Sequence, residues 1–147
     1  MQQAVRALEA ADAAAVAELE AQARAELVPQ RGGPVHLAER EAVGEWAALV
    51  ARADMAAWVG TIDDVVVGYL QLLLRPGGTA EVLQVYVLPE ARELGFGDWL
   101  LEAAIAHARA RGCTALEGTA LPGDRATKNL YERAGITARR ITVWKAL

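Results

Sequence analysis

One cysteine, one phenylalanine and two histidines stand among the 147 residues. Cys113 has no partner for a disulfide, and with His36 and His107 far apart in sequence it offers no zinc-ligand spacing, so no metal is expected. No uninterrupted apolar run approaches the ~18 residues of a membrane span. The opening Met1-Gln2-Gln3-Ala4 lacks the basic segment and apolar core of a secretory leader, so a soluble cytoplasmic protein is expected, without a membrane partner. Excess basic charge is missing too: 15 Lys and Arg face 19 Asp and Glu, a net charge of −4. That removes the electrostatic footprint of a general nucleic-acid binder.

What is present fits one domain over residues 1–147, long enough to bury roughly 68–70% of its extended-chain surface without staples. Apolar residues make up 54% and charged residues 23%, which argues against a disordered chain. With 32 alanines and only 5% aromatics, closely packed helices with few large anchors are expected, Trp46, Trp58, Trp99 and Trp144 serving as those anchors. Residues 1–76 hold 11 acids and 6 bases, residues 77–147 hold 8 acids and 9 bases. An anionic ligand is therefore better tolerated by the second half, and a cationic one by the first.

Along the chain, Ala4–Glu9 reads as a short strand and Asp12 as the N-cap of a helix ending near Leu27, with Val16, Leu19 and Ala23 inward and Glu18, Glu20 and Arg24 on the wet face. Pro29–Pro34 reads as an exposed loop, followed by a helix over about Leu37–Arg52. Two β-branched runs, Ala56–Ile62 and Val65–Leu74, joined by Asp63-Asp64, predict a hairpin. Ala80–Leu88 alternates as a further strand, with Val82, Gln84, Tyr86 and Leu88 opposite Leu83, Val85 and Val87. A long helix, Phe96–Arg111, ends at Gly112. Cys113–Leu121 reads as a strand, Asp124–Ala134 as a short helix, and Ile136–Leu147 as a final strand, either whole or broken in two around Ala138-Arg139, whose exposed part around Ile141–Trp144 is free to pair with another chain's edge in a homodimer. The order is β-α-α-β-β-β-α-β-α-β, an α/β fold with one mixed sheet and helices on both faces.

The chemistry concentrates after the third long strand. Pro89 is followed by Arg92-Glu93-Leu94-Gly95-Phe96-Gly97 and at once by an amphipathic helix. Glycines admit a ligand close to the backbone, and the first amides of the helix point into the same space, which suits a phosphate or pyrophosphate. Arg92 adds a charge-assisted contact. A dinucleotide fingerprint needs Gly or Ala where Leu100 stands, and a Walker loop needs Gly-Lys-Ser/Thr. The plainer reading, glycines turning the chain into a helix, stays open on the residues alone.

Val85-x-Val87-x-Pro89-x-x-Arg92-x-x-Gly95-x-Gly97 with Leu100-Leu101, followed by Asp124–Ile136 containing Leu130-Tyr131-x-x-x-Gly135, resembles the GNAT superfamily of acyl-CoA-dependent N-acetyltransferases over nearly the whole chain. The resemblance implies a single-domain, mainly antiparallel sheet flanked by helices, with acetyl-CoA as co-substrate. It also implies that backbone amides of Arg92, Glu93, Leu94, Gly95, Phe96 and Gly97 hold the pyrophosphate. Main-chain groups around Val85 and Val87 would hold the pantetheine and acetyl carbonyl, and Tyr131 would stand near the thioester sulfur as a proton donor to the leaving thiolate.

This chain departs from the pattern at five positions: Glu93 stands where a basic or small residue is common, Leu94 where Lys or Arg is frequent, Asp98 adds a carboxylate in the first helical turn, Asp124 replaces the usual Asn, and Ile136 the usual Phe. The acids weaken phosphate attraction. Asp124 is read only as a helix N-cap. For deprotonating the amine, Glu81 and Glu117 are the candidates, against the plainer reading of exposed strand-end acids. His36 is a candidate substrate contact, while His107 and Cys113 read as structural. The expected activity is acetyl transfer to a primary amine, on a small molecule or a peptide, by direct attack in a ternary complex. A non-catalytic acyl-CoA-binding module of the same fold and a nucleotide-phosphate enzyme are the rival readings.

Overall fold

A computed structural model describes residues 1–147. Five strands, β1 (Gln3–Ala7), β2 (Met55–Ile62), β3 (Val65–Leu74), β4 (Thr79–Val87) and β5 (Ala115–Gly118), form one sheet in chain order. The first three pairings are antiparallel and β4–β5 is parallel. Asp63 and Asp64, at φ 48° and 69°, make the tight β2–β3 turn whose left-handed residues match the twist of the strands it joins. The helices are α1 (Ala13–Leu27), α2 (Gly33–Glu39), α3 (Trp46–Leu49), α4 (Phe96–Ala110) and α5 (Arg125–Arg133). None is long and apolar enough to cross a membrane.

Each face of the sheet carries its own core. On one side Leu100, Leu101, Ala104 and Ala108 of α4 and Leu130 and Tyr131 of α5 pack on Leu70, Leu72, Ala80 and Val82. On the other, Val16 and Leu19 of α1 and Trp46 and Leu49 of α3 pack on Ala57, Val59 and Tyr69. Apolar stripes at helical spacing meet apolar strand faces, so period 3.6 and period 2 close on the same layers.

Five details differ from the sequence reading. The long second helix is two short ones: α2 begins inside the Gly/Pro segment, and an irregular stretch, 40–45, separates it from α3. Gly44 there is left-handed at φ 71°, and the Val43 N–H donates to Glu20 rather than to a helical carbonyl. Glu20 is therefore not on the wet face but 2% exposed. In β4 the register slips between the Gln71–Gln84 and Leu72–Val82 pairs. The extra residue, Leu83, shifts the alternation, so Val82 shares a face with Val85 and Val87 rather than with Gln84 and Tyr86. Trp99 and Trp144 are 41% and 65% exposed, not core anchors. Finally, Ile136–Leu147 forms no strand, and Ile141 and Val143 are 84% and 90% exposed.

Candidate active site

The sheet opens where β5 stops. β4 and β5 pair over Thr79–Val82 and Ala115–Gly118, and beyond Val82 the next five residues of β4 have no neighbour on that side. The direction of their backbone follows from the β3 pairing. Leu88 N–H donates to Val67 O at 2.8 Å, and Tyr69 stands opposite Tyr86, so Tyr86 and Leu88 bond inward. Val85 and Val87, alternating with them, turn N–H and C=O to the open edge. Side chains confirm the direction: Arg92 Nε donates to Val87 O at 2.9 Å and Arg40 Nη1 reaches Leu83 O at 3.4 Å.

Facing this edge is the start of α4. Gly95, left-handed at φ 88°, precedes the helix, and Trp99 N–H makes the first return bond, to Gly95 O at 3.0 Å. The amides of Phe96, Gly97 and Asp98 have no backbone acceptor and present the positive end of a 15-residue helix. Asp98, whose charge opposes an anion here, is paired with Arg133 of α5 at 2.9 Å. Asp124 caps α5 as expected, accepting from Thr127 N–H at 3.1 Å.

Both features open into one cleft of about 1130 Å³. Val85, Val87, Arg92, Glu93, Gly95, Phe96, Gly97, Glu81, Tyr131 and His36 all line it; Leu94 and Glu117 do not. Leu94 turns outward, 44% exposed, and Glu117 pairs with Arg75 at 2.6 Å. Tyr131 is 7% exposed, its ring seated over Gly118. Its hydroxyl makes no hydrogen bond within the chain, and burial pushes the phenol well above its ordinary range, with Arg40 pulling the other way. It therefore stays protonated at neutral pH. Glu81 is 4% exposed, one oxygen on Arg40 Nη2 at 2.5 Å and the other on Arg75. Burial lowers the pKa of His36, keeping the ring neutral.

The opposite wall holds residues that sequence reasoning passed over. Glu20 accepts from Val43 N–H, from Trp46 Nε1 at 3.1 Å and from Gln84 Nε2 at 2.6 Å; Gln84 also donates to Gln71 at 2.9 Å and accepts from Tyr69 at 2.7 Å. Two glutamines inside apolar strands were a visible signal for this buried network; nothing in the helix pattern singled out Glu20. Nearer the mouth, Glu26 accepts from the Tyr86 hydroxyl and from Arg92 at 3.3 Å, while the Arg92 guanidinium lies 5.6 Å from the Tyr86 ring centre.

A strand with an open edge facing a glycine-led helix start is a site for a ligand that carries both an amide-like arm and phosphates. The sequence matches the model of the acetyltransferase (GNAT) family over residues 13–136, and the chain belongs to that family. A search of curated protein sequences found no match. Among solved structures it is similar to AAC(6')-Iy bound to the bisubstrate analogue CoA-S-monomethyl-acetylneamine, at 19% identity, full coverage of both chains and a TM-score of 0.71. It is also similar to a ribosomal-protein-alanine N-acetyltransferase from Brucella melitensis biovar Abortus 2308, at 18% identity, covering 100% of this chain and 99% of that one, TM-score 0.72. A transcriptional regulator from Bacillus halodurans matches at 20% identity over 99% and 100% of the two chains, TM-score 0.73. At these identities the likeness is one of fold.

Proposed function

We propose that residues 1–147 form a single acetyltransferase domain that moves an acetyl group from acetyl-CoA to a primary amine by direct attack in a ternary complex. One observation carries this reading: the unpaired edge of β4 and the free amides of α4 face the same cleft. Pantetheine lies along β4 like a short added strand, and the pyrophosphate meets the amides of the Arg92–Gly97 turn, so Leu94 contributes backbone while its side chain faces away. The neighbours' aminoglycoside and ribosomal-protein substrates support an amine acceptor. The site of action under this reading is the cytoplasm, where acetyl-CoA is available.

The amine lone pair adds to the thioester carbonyl, a C–N bond forms, the C–S bond breaks, and the sulfur leaves with the electron pair. Outward N–H groups of β4 around Val85 and Val87 stabilise the oxyanion. Tyr131, protonated and without a competing hydrogen bond, donates its proton to the departing sulfur, and the second proton, shed by the nitrogen as the amide forms, returns the phenolate to phenol through water. The acceptor ammonium first loses a proton. Glu81 takes it through water, since Arg40 and Arg75 occupy its direct positions.

The test is thiol release from acetyl-CoA with a panel of primary amines, alongside thermal shift with acetyl-CoA, ATP and NAD. Turnover with one amine and stabilisation by acetyl-CoA alone are expected. Stabilisation by acetyl-CoA without turnover on any amine identifies a non-catalytic acyl-CoA module; stabilisation by a nucleotide but not by acetyl-CoA overturns the reading.

A further inference from the structure

Under the floor of the cleft runs a chain of hydrogen bonds in which each group leaves the next a single orientation. Glu20, a carboxylate that only accepts, takes its bonds from neutral donors: Val43 N–H, Trp46 Nε1 and Gln84 Nε2. Gln84 must therefore turn its nitrogen to Glu20, which leaves its oxygen for the Tyr69 hydroxyl at 2.7 Å. The other N–H of that nitrogen meets Gln71 Oε1 at 2.9 Å, so Gln71 in turn points its own nitrogen away from Gln84. Two N–H groups sit on that nitrogen, and its one partner within the chain is the Met55 sulfur at 3.7 Å, a weak acceptor. Gln71 is only 4% exposed, yet it and Met55 line the cleft. A buried donor of this kind is ordinarily satisfied by an oxygen.

The β3–β4 register brings this donor close to the reacting end. Gln71 stands opposite Gln84 and Leu73 opposite Glu81, and cross-strand partners project from the same face. Gln71 and Glu81 thus share the floor, separated by two residues of strand, about 7 Å. We propose that Gln71 determines acceptor specificity by donating a hydrogen bond to a neutral oxygen, that of a carbonyl or amide, carried on the same molecule as the reacting amine. Glu20 and Gln84 are positioning residues that hold the Gln71 N–H groups toward the cleft. This deepens the acetyl-transfer reading and rests on it. Charge narrows the class: an ammonium at this position meets N–H donors head on. A carboxylate there meets the Glu20 charge one amide behind it, and no cation is bonded to Glu20.

Acetyl transfer to ω-amino amides of three to six carbons, against the alkylamine, the diamine and the ω-amino acid of matched length, tests the assignment. At the length that spans Gln71 and Glu81 the amide is expected to exceed each of the other three in kcat/KM by about 3–10-fold, the usual worth of one neutral hydrogen bond. Equal values, or a diamine ahead, overturn the proposal. Gln71→Leu is expected to erase the difference by lowering the amide alone. Glu20, which does not itself line the cleft, tests the relay: Glu20→Gln offers Gln84 a donor in place of an acceptor, so both glutamines rotate and Gln71 shows its oxygen. The preference should then pass from the amide to the diamine. A role confined to stability moves the melting temperature and leaves these ratios unchanged, and that result refutes the relay. Side-chain ¹H–¹⁵N spectra of the unaltered chain give a readout that needs neither turnover nor a folded variant. The Gln71 NH₂ pair is expected to shift on titration with the ω-amino amide and not with the matched alkylamine. Transfer without that shift overturns the proposal and leaves the acetyl-transfer reading standing; the shift without transfer to any amine does the reverse.

Discussion

Gly118 and Tyr131 give the sharpest test of how the cleft is built. A Cβ placed on Gly118 lies 2.4 Å from the Tyr131 hydroxyl oxygen and 2.6 Å from Cζ, well inside the closest approach of real side chains. Gly118 is a strand residue outside the left-handed region, so alanine is otherwise compatible there and, by restricting the unfolded chain, is worth about 0.4–1 kcal/mol of stabilisation. With Tyr131 in place the ring must move on the order of 1 Å, and such overpacking costs about 1–3 kcal/mol. Gly118→Ala is therefore expected to lower stability by roughly 1–2 kcal/mol net, a Tm fall of about 2–8 °C for a chain of this size. In a Tyr131→Ala background the clash is gone, and the same substitution becomes neutral or stabilising. Urea unfolding of the four members of this cycle gives the coupling directly, expected at about 1–3 kcal/mol. Acetyl transfer by Gly118→Ala should fall by about 10²-fold, since a displacement of about 1 Å at a reacting group costs that much. Equal destabilisation in both backgrounds would show that the strain lies elsewhere and that Gly118 does not set the Tyr131 position.

Four further outcomes are expected. Tyr131→Phe lowers kcat by about 10²–10⁴-fold, the usual worth of a positioned proton donor, while the acetyl-CoA thermal shift is retained; unchanged kcat removes the assignment. Because burial holds the Tyr131 phenol protonated, the wild-type rate profile should show no alkaline fall from that group below its raised pKa. Glu20→Ala leaves Trp46 Nε1 and Val43 N–H without their acceptor, removes one of the two acceptors of Gln84 Nε2, and should cost about 3–5 kcal/mol in urea unfolding, with Glu20→Gln costing less because it keeps one acceptor oxygen. His107 is held neutral by burial and Arg111, its Nε2 buried without a partner. Its folded pKa lies below the unfolded value, so the unfolded chain binds the proton first. Stability should fall as pH drops through about 6.5 toward the folded pKa, and His107→Leu should flatten that slope in pH-dependent melts.

Much of the chain's local order was readable because it rests on short-range rules. The hairpin followed from two β-branched runs around Asp63-Asp64, α4 from its apolar stripe with Gly112 at the end, and α5 from Asp124 and Gly135. The turn Arg92–Gly97 was legible for the same reason, since glycine before an amphipathic helix leaves free amides whatever lies around it. The second helix failed because Gly44 and the buried Glu20 take Val43 out of the helical pattern, an interaction spanning 23 residues.

By itself, then, the sequence determined most of the helices and strands, the family and a glycine-led turn with free amides before α4, because periodicity, capping and glycine act between near neighbours in the chain. Only the tertiary structure decided that Leu83 shifts the phase of β4 and that Glu81 is clasped between Arg40 and Arg75. It alone fixed Tyr131 over Gly118 and buried Glu20 under Gln84 and Trp46. Apart from the pairing of Arg75 with Glu81, each of these rests on residues distant in sequence, and no periodicity along one chain records which strand or helix will stand opposite it.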